Sequence, residues 1–179
     1  MRRMMAVTGI LALMFLAALA VPAQAALINF TANLDGFQEV PPHVTPATGL
    51  ATLVFDDVLN IFDLDLSVSG MLAPITAYHI HAAPPGVNGP VIVSLVGLDP
   101  SLVGSTAGSI HLDDIPFPLA NVADLLAGDT YVNVHTTLFP GGEIRAQLVE
   151  QQVPGPATLL LLGGGLAAIG VLGWAHRNA

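Results

Sequence analysis

Thr76-Ala-Tyr-His-Ile-His-Ala-Ala-Pro-Pro-Gly-Val-Asn-Gly-Pro90 is a short apolar strand pattern that runs directly into a Pro/Gly turn. Successive side chains of a strand point to opposite faces, so residues two apart share a face, with their backbones about 6.5 Å apart. His79 and His81 therefore leave the same face of this strand. The chemistry that the sequence predicts depends on whether this pair binds a ligand or supports the neighbouring turn.

Apolar and polar residues also alternate in the segments on either side of this stretch. This pattern, interrupted by turn-forming residues, predicts short strands. The predicted strands cover residues 28–35, 50–55, 59–68, 75–81, 90–95, 108–113, 130–136 and 143–149. One short helix is predicted over residues 119–128, with Asn121 as its N-cap and Gly128 as its left-handed stop. Seven or eight strands at this spacing predict an all-β protein, an antiparallel immunoglobulin-like or Greek-key sandwich with one short helix.

The first 25 residues have the order of parts of a secretory signal peptide. Arg2 and Arg3 precede an apolar run over residues 6–20, and Ala23 and Ala25 form a small-residue cleavage pattern. The apolar run is short for a bilayer-spanning anchor. We therefore expect residues 1–25 to be removed after Ala25 and the following domain to be exported.

Residues 153–179 form a second targeting segment, with an uncharged apolar stretch over residues 157–174. Eighteen helical residues span roughly 27 Å, so this stretch is a predicted transmembrane helix, with Trp174 at the interface and Arg177 on the cytoplasmic side. The Val-Pro-Gly-Pro-Ala-Thr lead, the Leu/Gly-rich stretch and the short basic end resemble a PEP-CTERM sorting signal. That resemblance implies cleavage by an exosortase-type membrane protease and delivery to the cell surface. A permanent single-pass anchor is the alternative.

The domain between the two ends, residues 26–152, is strongly acidic. It holds 13 acidic residues and one basic residue, Arg145, which gives a formal net charge of −12. Nucleic acids and anionic lipids are recognised through basic surfaces, so this balance argues against both as partners. The chain has no cysteine, so the core of this exported domain must form without disulfides.

Several segments of this domain, taken in order, resemble the CHRD (chordin-type) domain. They are residues 30–42 (FTANLDGFQEVPP), 45–49 (TPATG), 77–81 (AYHIH), 85–90 (PGVNGP), 131–136 (YVNVHT) and 140–148 (PGGEIRAQL). The resemblance implies an immunoglobulin-like β-sandwich or barrel that is usually extracellular. It does not imply a particular biochemical activity.

His79, His81 and His135 are candidate metal ligands. If the strand of His135 neighbours the strand of His79 and His81, three imidazoles can meet with one coordination position open, which suits zinc or copper. Glu143 is a further candidate ligand. The alternative is structural, with the histidines bonding the turn at residues 83–90 and the backbone near Pro140.

A fold-level analogy with Cu/Zn superoxide dismutase, another sandwich with a His-x-His strand, extends the metal hypothesis to redox chemistry. The carboxylate-bearing second metal site of that enzyme has no clear match, and the nearest candidate is His111 with Asp113. Arg145 is also expected to form an ion pair with Glu39, Glu143 or one of the aspartates. This pair would either pin the Pro-rich loop, residues 36–49, or bind a ligand carboxylate.

These observations predict an exported, cell-surface or extracellular-matrix β-sandwich that acts by interaction and is not an enzyme. Its expected partners are the processing protease, an extracellular protein or polysaccharide, and the membrane through the C-terminal helix, with no nucleic acid. The alternative function is binding of Cu or Zn, or superoxide-dismutase-like redox chemistry, through the three histidines.

Overall fold

The structure is a computed structural model that describes residues 27–151. The predicted signal peptide, residues 1–25, and the predicted sorting segment with its transmembrane helix, residues 153–179, lie outside the described residues. Within residues 27–151, no helix has the length and apolar character needed to cross a bilayer.

The described chain contains nine strands. They are β1 (Leu27–Leu34), β2 (Thr48–Asp56), β3 (Ile61–Ser69), β4 (Ile75–Ala82), β5 (Val91–Ser94), β6 (Gly108–Pro116), β7 (Thr130–Thr136), β8 (Ile144–Gln147) and β9 (Val149–Glu150). Two short α-helices, α1 (Leu95–Leu98) and α2 (Val122–Ala127), lie in connections, and 3-10 turns cover Gly36–Gln38 and Leu119–Asn121. The predicted all-β class is confirmed.

The strands form two antiparallel sheets, one with the order β6-β3-β2-β1-β9 and one with the order β5-β4-β7-β8. β3 and β6 are neighbours in the first sheet, while the β4–β5 hairpin that connects them in sequence belongs to the second. The sheets also meet at one corner, where Asp35 and Arg145 exchange two backbone hydrogen bonds of 3.1 and 3.3 Å. This places Arg145 where the loops after β1 come close to β8.

The core lies between the two sheets and contains side chains from every strand except β9, whose two residues are exposed. Phe30, Leu53 and Leu64 of the first sheet and Tyr78 and Ile80 of the second are essentially fully buried. Because side chains alternate along a strand, burial of Tyr78 and Ile80 turns His79 and His81 to the outer face of the four-stranded sheet. The predicted orientation of the histidine pair is therefore confirmed.

The predicted helix is present, with two differences in detail. Its first turn is a 3-10 turn, and the α-helical part α2 ends at Gly128, whose φ of 77° is the expected left-handed stop. Asn121 does not cap the helix backbone, because its side-chain amide donates to the Asp124 carboxylate at 2.8 Å. The strand predicted over residues 90–95 is present as β5, and the one-turn helix α1, which was not predicted, follows it from Leu95.

Candidate functional site

The outer face of the four-stranded sheet brings the three predicted histidines together. β4 and β7 are adjacent and antiparallel, and the register pairs His79 with Asn133 and His81 with Tyr131. His135 pairs with Ala77, so it lies diagonally across from His79 on the same face. The condition that the sequence left open, that the two strands be neighbours, is met.

The three imidazole rings form a compact cluster. His79 Nδ1 lies 3.3 Å from His135 Nε2. The ring centroids are 5.2 Å apart for His79 and His135, 5.6 Å for His79 and His81, and 6.0 Å for His81 and His135. One nitrogen from each ring lies within 4.8 Å of the others. This spacing is compatible with three nitrogen ligands of one metal ion.

Two neighbouring loops fix the orientation of two of these rings. His81 Nδ1 lies 3.0 Å from the carbonyl oxygen of Gly89, and His135 Nδ1 lies 3.1 Å from that of Pro140. The His81 ring also stacks on Tyr131, with centroids 4.8 Å apart and an angle of 8°. The histidines therefore support the neighbouring loops, as the structural alternative expects, and they also lie together in one cluster.

Burial keeps the histidine cluster uncharged near neutral pH. Desolvation lowers the pKa of His79 and of His81, and it lowers the pKa of His135 to about 4. Repulsion from a neighbouring imidazolium adds to the effect for His79 and His135. A neutral imidazole has a free lone pair, which is the form that binds a metal.

Glu143, the predicted additional ligand, does not join the cluster. Its carboxylate is fully buried and accepts hydrogen bonds from Thr45 Oγ1 at 2.7 Å, Leu72 N at 2.9 Å and Thr136 Oγ1 at 2.8 Å. These donors come from three different segments of the chain. The side chain therefore ties loops together at this end of the sandwich and is not placed to bind the same ion as the histidines.

Arg145 binds the 83–90 turn and forms no direct ion pair with Glu39 or Glu143. Its guanidinium lies 3.6 Å from the centre of the Tyr131 ring. It donates to Asn88 Oδ1 at 3.0 Å, Val87 O at 3.2 Å and Gln147 Oε1 at 3.3 Å. All three acceptors are neutral, so hydrogen bonds from the charged guanidinium to neutral oxygens and a cation–π contact replace the predicted ion pair. The predicted pinning role applies to the turn and not to the Pro-rich loop.

Glu39 and Asn133 form a buried polar pair that the sequence did not indicate. Within the described part of the chain, Glu39 Oε1 and Asn133 Oδ1 are both buried and have no hydrogen-bond partner. A Cβ added at Gly142 would lie 2.7 Å from Glu39 Oε1 and 2.6 Å from Asn133 Nδ2, so a glycine is needed for both groups to fit here. Burial raises the pKa of Glu39 to about 7, although the nearby Arg145 charge opposes this.

His111, the nearest candidate for a second metal site, lies on a different sheet from the histidine cluster. It is on β6, where its Nδ1 contacts Asp65 Oδ1 at 2.8 Å and its Nε2 contacts Asp113 Oδ1 at 2.9 Å. These hydrogen bonds and negative charges raise the pKa of His111. Both ring nitrogens are engaged at an exposed surface, so a two-metal centre of the superoxide-dismutase kind is not assembled here.

Comparison with known families gives a match to the CHRD domain over residues 30–148. The matched residues include the histidine cluster, Arg145 and the Pro-rich loop. Comparisons with curated proteins and with solved structures gave no match. Since the match covers most of the chain and both sheets of the sandwich, the protein belongs to the CHRD domain family.

Proposed function

We propose that the protein is an exported, surface-sorted β-sandwich module that acts by binding an extracellular protein, with an extracellular polysaccharide as the alternative ligand. Membership of the CHRD family supports an extracellular module of this kind. The acidic surface of the domain argues against nucleic acid. The proposal assigns the protein a binding role and no catalytic step.

A cleft beside the Pro-rich loop is the observation that carries this proposal. It has a volume of about 380 Å³, within the range of sites that hold small ligands or single side chains of a partner. The residues that line it are Phe37, Gln38, Glu39, Val40, Pro42, Pro85, Gly86, Arg145 and Gln147. The cleft thus lies between the Pro-rich loop and the turn that Arg145 holds.

The chemistry of the cleft favours a peptide segment over a sugar polymer. Phe37 is 69% exposed at the rim, and Pro42 and Pro85 extend the apolar surface. Arg145 and Gln147 also line the cleft, and their polar side-chain atoms are bonded to the 83–90 turn, to Gly128 and to each other. Apolar anchors around a few polar groups are typical of protein-binding surfaces, and a single exposed aromatic ring offers little stacking area for a chain of sugars.

Substitution of Phe37 tests the cleft. We expect Phe37→Ala to weaken binding of an extracellular protein of the host by at least about tenfold, as expected for loss of an aromatic anchor. Leu119→Ala is the matched control, because Leu119 is 78% exposed and does not line the cleft. Both variants and the wild type would be titrated against the candidate protein and against the host exopolysaccharide. Equal affinity of the Phe37→Ala variant and the wild type for every ligand would rule out the cleft.

The two ends of the chain carry the proposed route to the surface. Residues 1–25 direct export, and residues 153–179 bring the chain to an exosortase-type protease through the helix that the sequence predicts over residues 157–174. We expect the mature protein, isolated from its host, to begin at Ala26 and to end near residue 153. Intact-mass measurement decides this, and a mature mass that includes residues 157–174 would instead show a permanent anchor.

A further inference from the structure

The histidine cluster on the outer face of β4 and β7 is not used by the proposed ligand cleft. We propose that His79, His81 and His135 bind one transition-metal ion, Zn²⁺ or copper. This inference goes beyond the proposed binding of an extracellular protein and stands on separate observations.

Hydrogen bonding to backbone carbonyls fixes the tautomers of two of the rings. A carbonyl oxygen only accepts, so the Nδ1 atoms of His81 and His135, at 3.0 and 3.1 Å from their carbonyls, carry the protons. Their Nε2 atoms are left with free lone pairs. Metal-binding histidines are commonly oriented in this way, with the non-ligating nitrogen donating to a carbonyl or carboxylate.

His79, which lies on β4 with His81, is the third proposed ligand. Because His135 Nε2 has no proton, His79 Nδ1 donates across the 3.3 Å that separates the two atoms. A metal ion between these rings replaces that hydrogen bond. The His79 proton then moves to the other ring nitrogen, Nε2, so the imidazole stays neutral and its Nδ1 becomes a ligand.

An unsatisfied atom in the cluster is a second, independent sign of a ligand. His81 is only 8% exposed, and its Nε2 atom is buried without a hydrogen-bond partner among residues 27–151. An acceptor left unpaired in this way is destabilising, and coordination to a metal would satisfy it. This free lone pair is on His81, whose ring lies next to the rings of His79 and His135.

The donor set selects the class of metal. Three neutral nitrogens suit zinc and copper, whereas calcium and magnesium require oxygen ligands. Glu143, the carboxylate candidate from the sequence, is engaged elsewhere, so the three histidines are the protein ligands and a further position is left open. The formal charge of −12 over residues 26–152 also favours the approach of a cation.

Titration of the full-length protein with Zn²⁺ and with Cu²⁺, each followed calorimetrically, tests the site. We expect about one ion per chain. His81→Ala should weaken affinity by more than about 100-fold, because loss of a direct ligand exceeds the effect of losing an outer partner. His111→Ala is the matched control and should bind as the wild type does. A Cu²⁺ electron paramagnetic resonance spectrum should show coupling to three nitrogens.

Folding and metal binding are separated by a second variant. The His81 ring also supports the turn through Gly89, so thermal unfolding without metal would be measured for each variant. If His81→Ala does not fold, His79→Ala tests whether the histidines bind the metal ion. Stoichiometric binding by His79→Ala with wild-type affinity, or no binding by the wild type, would overturn the proposal. Binding of the extracellular protein by His79→Ala should be unchanged, because His79 has no hydrogen bond to the 83–90 turn that borders the cleft, so the two proposals fail separately.

Discussion

Replacing Arg145 by methionine should lower the free energy of unfolding by about 3 kcal/mol and the melting temperature by roughly 10 °C. The substitution keeps most of the apolar volume of the side chain and removes all of its donors. Asn88 Oδ1, Val87 O and Gln147 Oε1 each lose a hydrogen bond, and the Tyr131 ring loses its cation. A buried acceptor that loses its donor costs about 1–3 kcal/mol, and the cost is smaller at Val87 and Asn88, which are exposed and can bond water instead.

Arg145→Lys is the informative companion to this variant. Lysine keeps the positive charge, but its ammonium group cannot reach three divergent acceptors and stack on Tyr131 at the same time. We therefore expect it to restore less than half of the lost stability in chemical denaturation. If Arg145→Met unfolds at the same denaturant concentration as the wild type, the guanidinium does not hold the 83–90 turn.

The second large effect is a change in how stability depends on pH, through Glu39. Its pKa is about 7 in the folded protein, against 4.5 for an ordinary glutamate exposed to water, so folding favours the protonated carboxyl. This contribution is fully present below about pH 4.5 and is lost as the pH rises through 7. At about 1.36 kcal/mol per pH unit, the full effect is about 3 kcal/mol.

Glu39→Gln should remove this dependence. The neutral amide stands in for the protonated carboxyl and can donate to the unpaired Asn133 Oδ1. The variant should therefore gain up to about 3 kcal/mol over the wild type between pH 5 and pH 8. Denaturant unfolding of both proteins at several pH values measures the difference between their free energies of unfolding. Because both proteins contain the same histidines, the opposite contribution of the histidines cancels in this difference. Glu150→Gln, at an exposed glutamate, serves as control. If the free energy of unfolding of the wild type and of Glu39→Gln changed with pH in parallel, the buried position of Glu39 would be contradicted.

Strand positions could be predicted from the sequence because alternation is a local property. The period of two along β1, β3 and β4 follows from the deeper burial of one face of each strand. The pattern at 143–149 predicts a single strand, but the chain changes sheets at Leu148, between β8 and β9. Local alternation does not reveal where a strand leaves its sheet, since the apolar residues continue into the core on either path.

The site could be predicted in part for the same reason. The common face of His79 and His81 follows from their spacing, whereas the approach of His135 depends on the register of β7 against β4. The side chain of Glu143 lies away from its predicted position because the chain around Gly142, with a φ of 130°, departs from strand geometry just before β8. The buried pair of Glu39 and Asn133 gave no signal, because the two residues are distant in sequence and each is an ordinary surface type by itself.

The sequence by itself determined the all-β class, the face on which each histidine lies, and the resemblance to the CHRD family. These depend on residue order and on the two-residue period of a strand. The tertiary structure decided that three imidazoles meet, that Arg145 holds the 83–90 turn, and that Glu143 ties loops together. Each of those contacts joins segments that only strand register and loop closure bring within hydrogen-bonding distance, and neither is specified by local side-chain pattern.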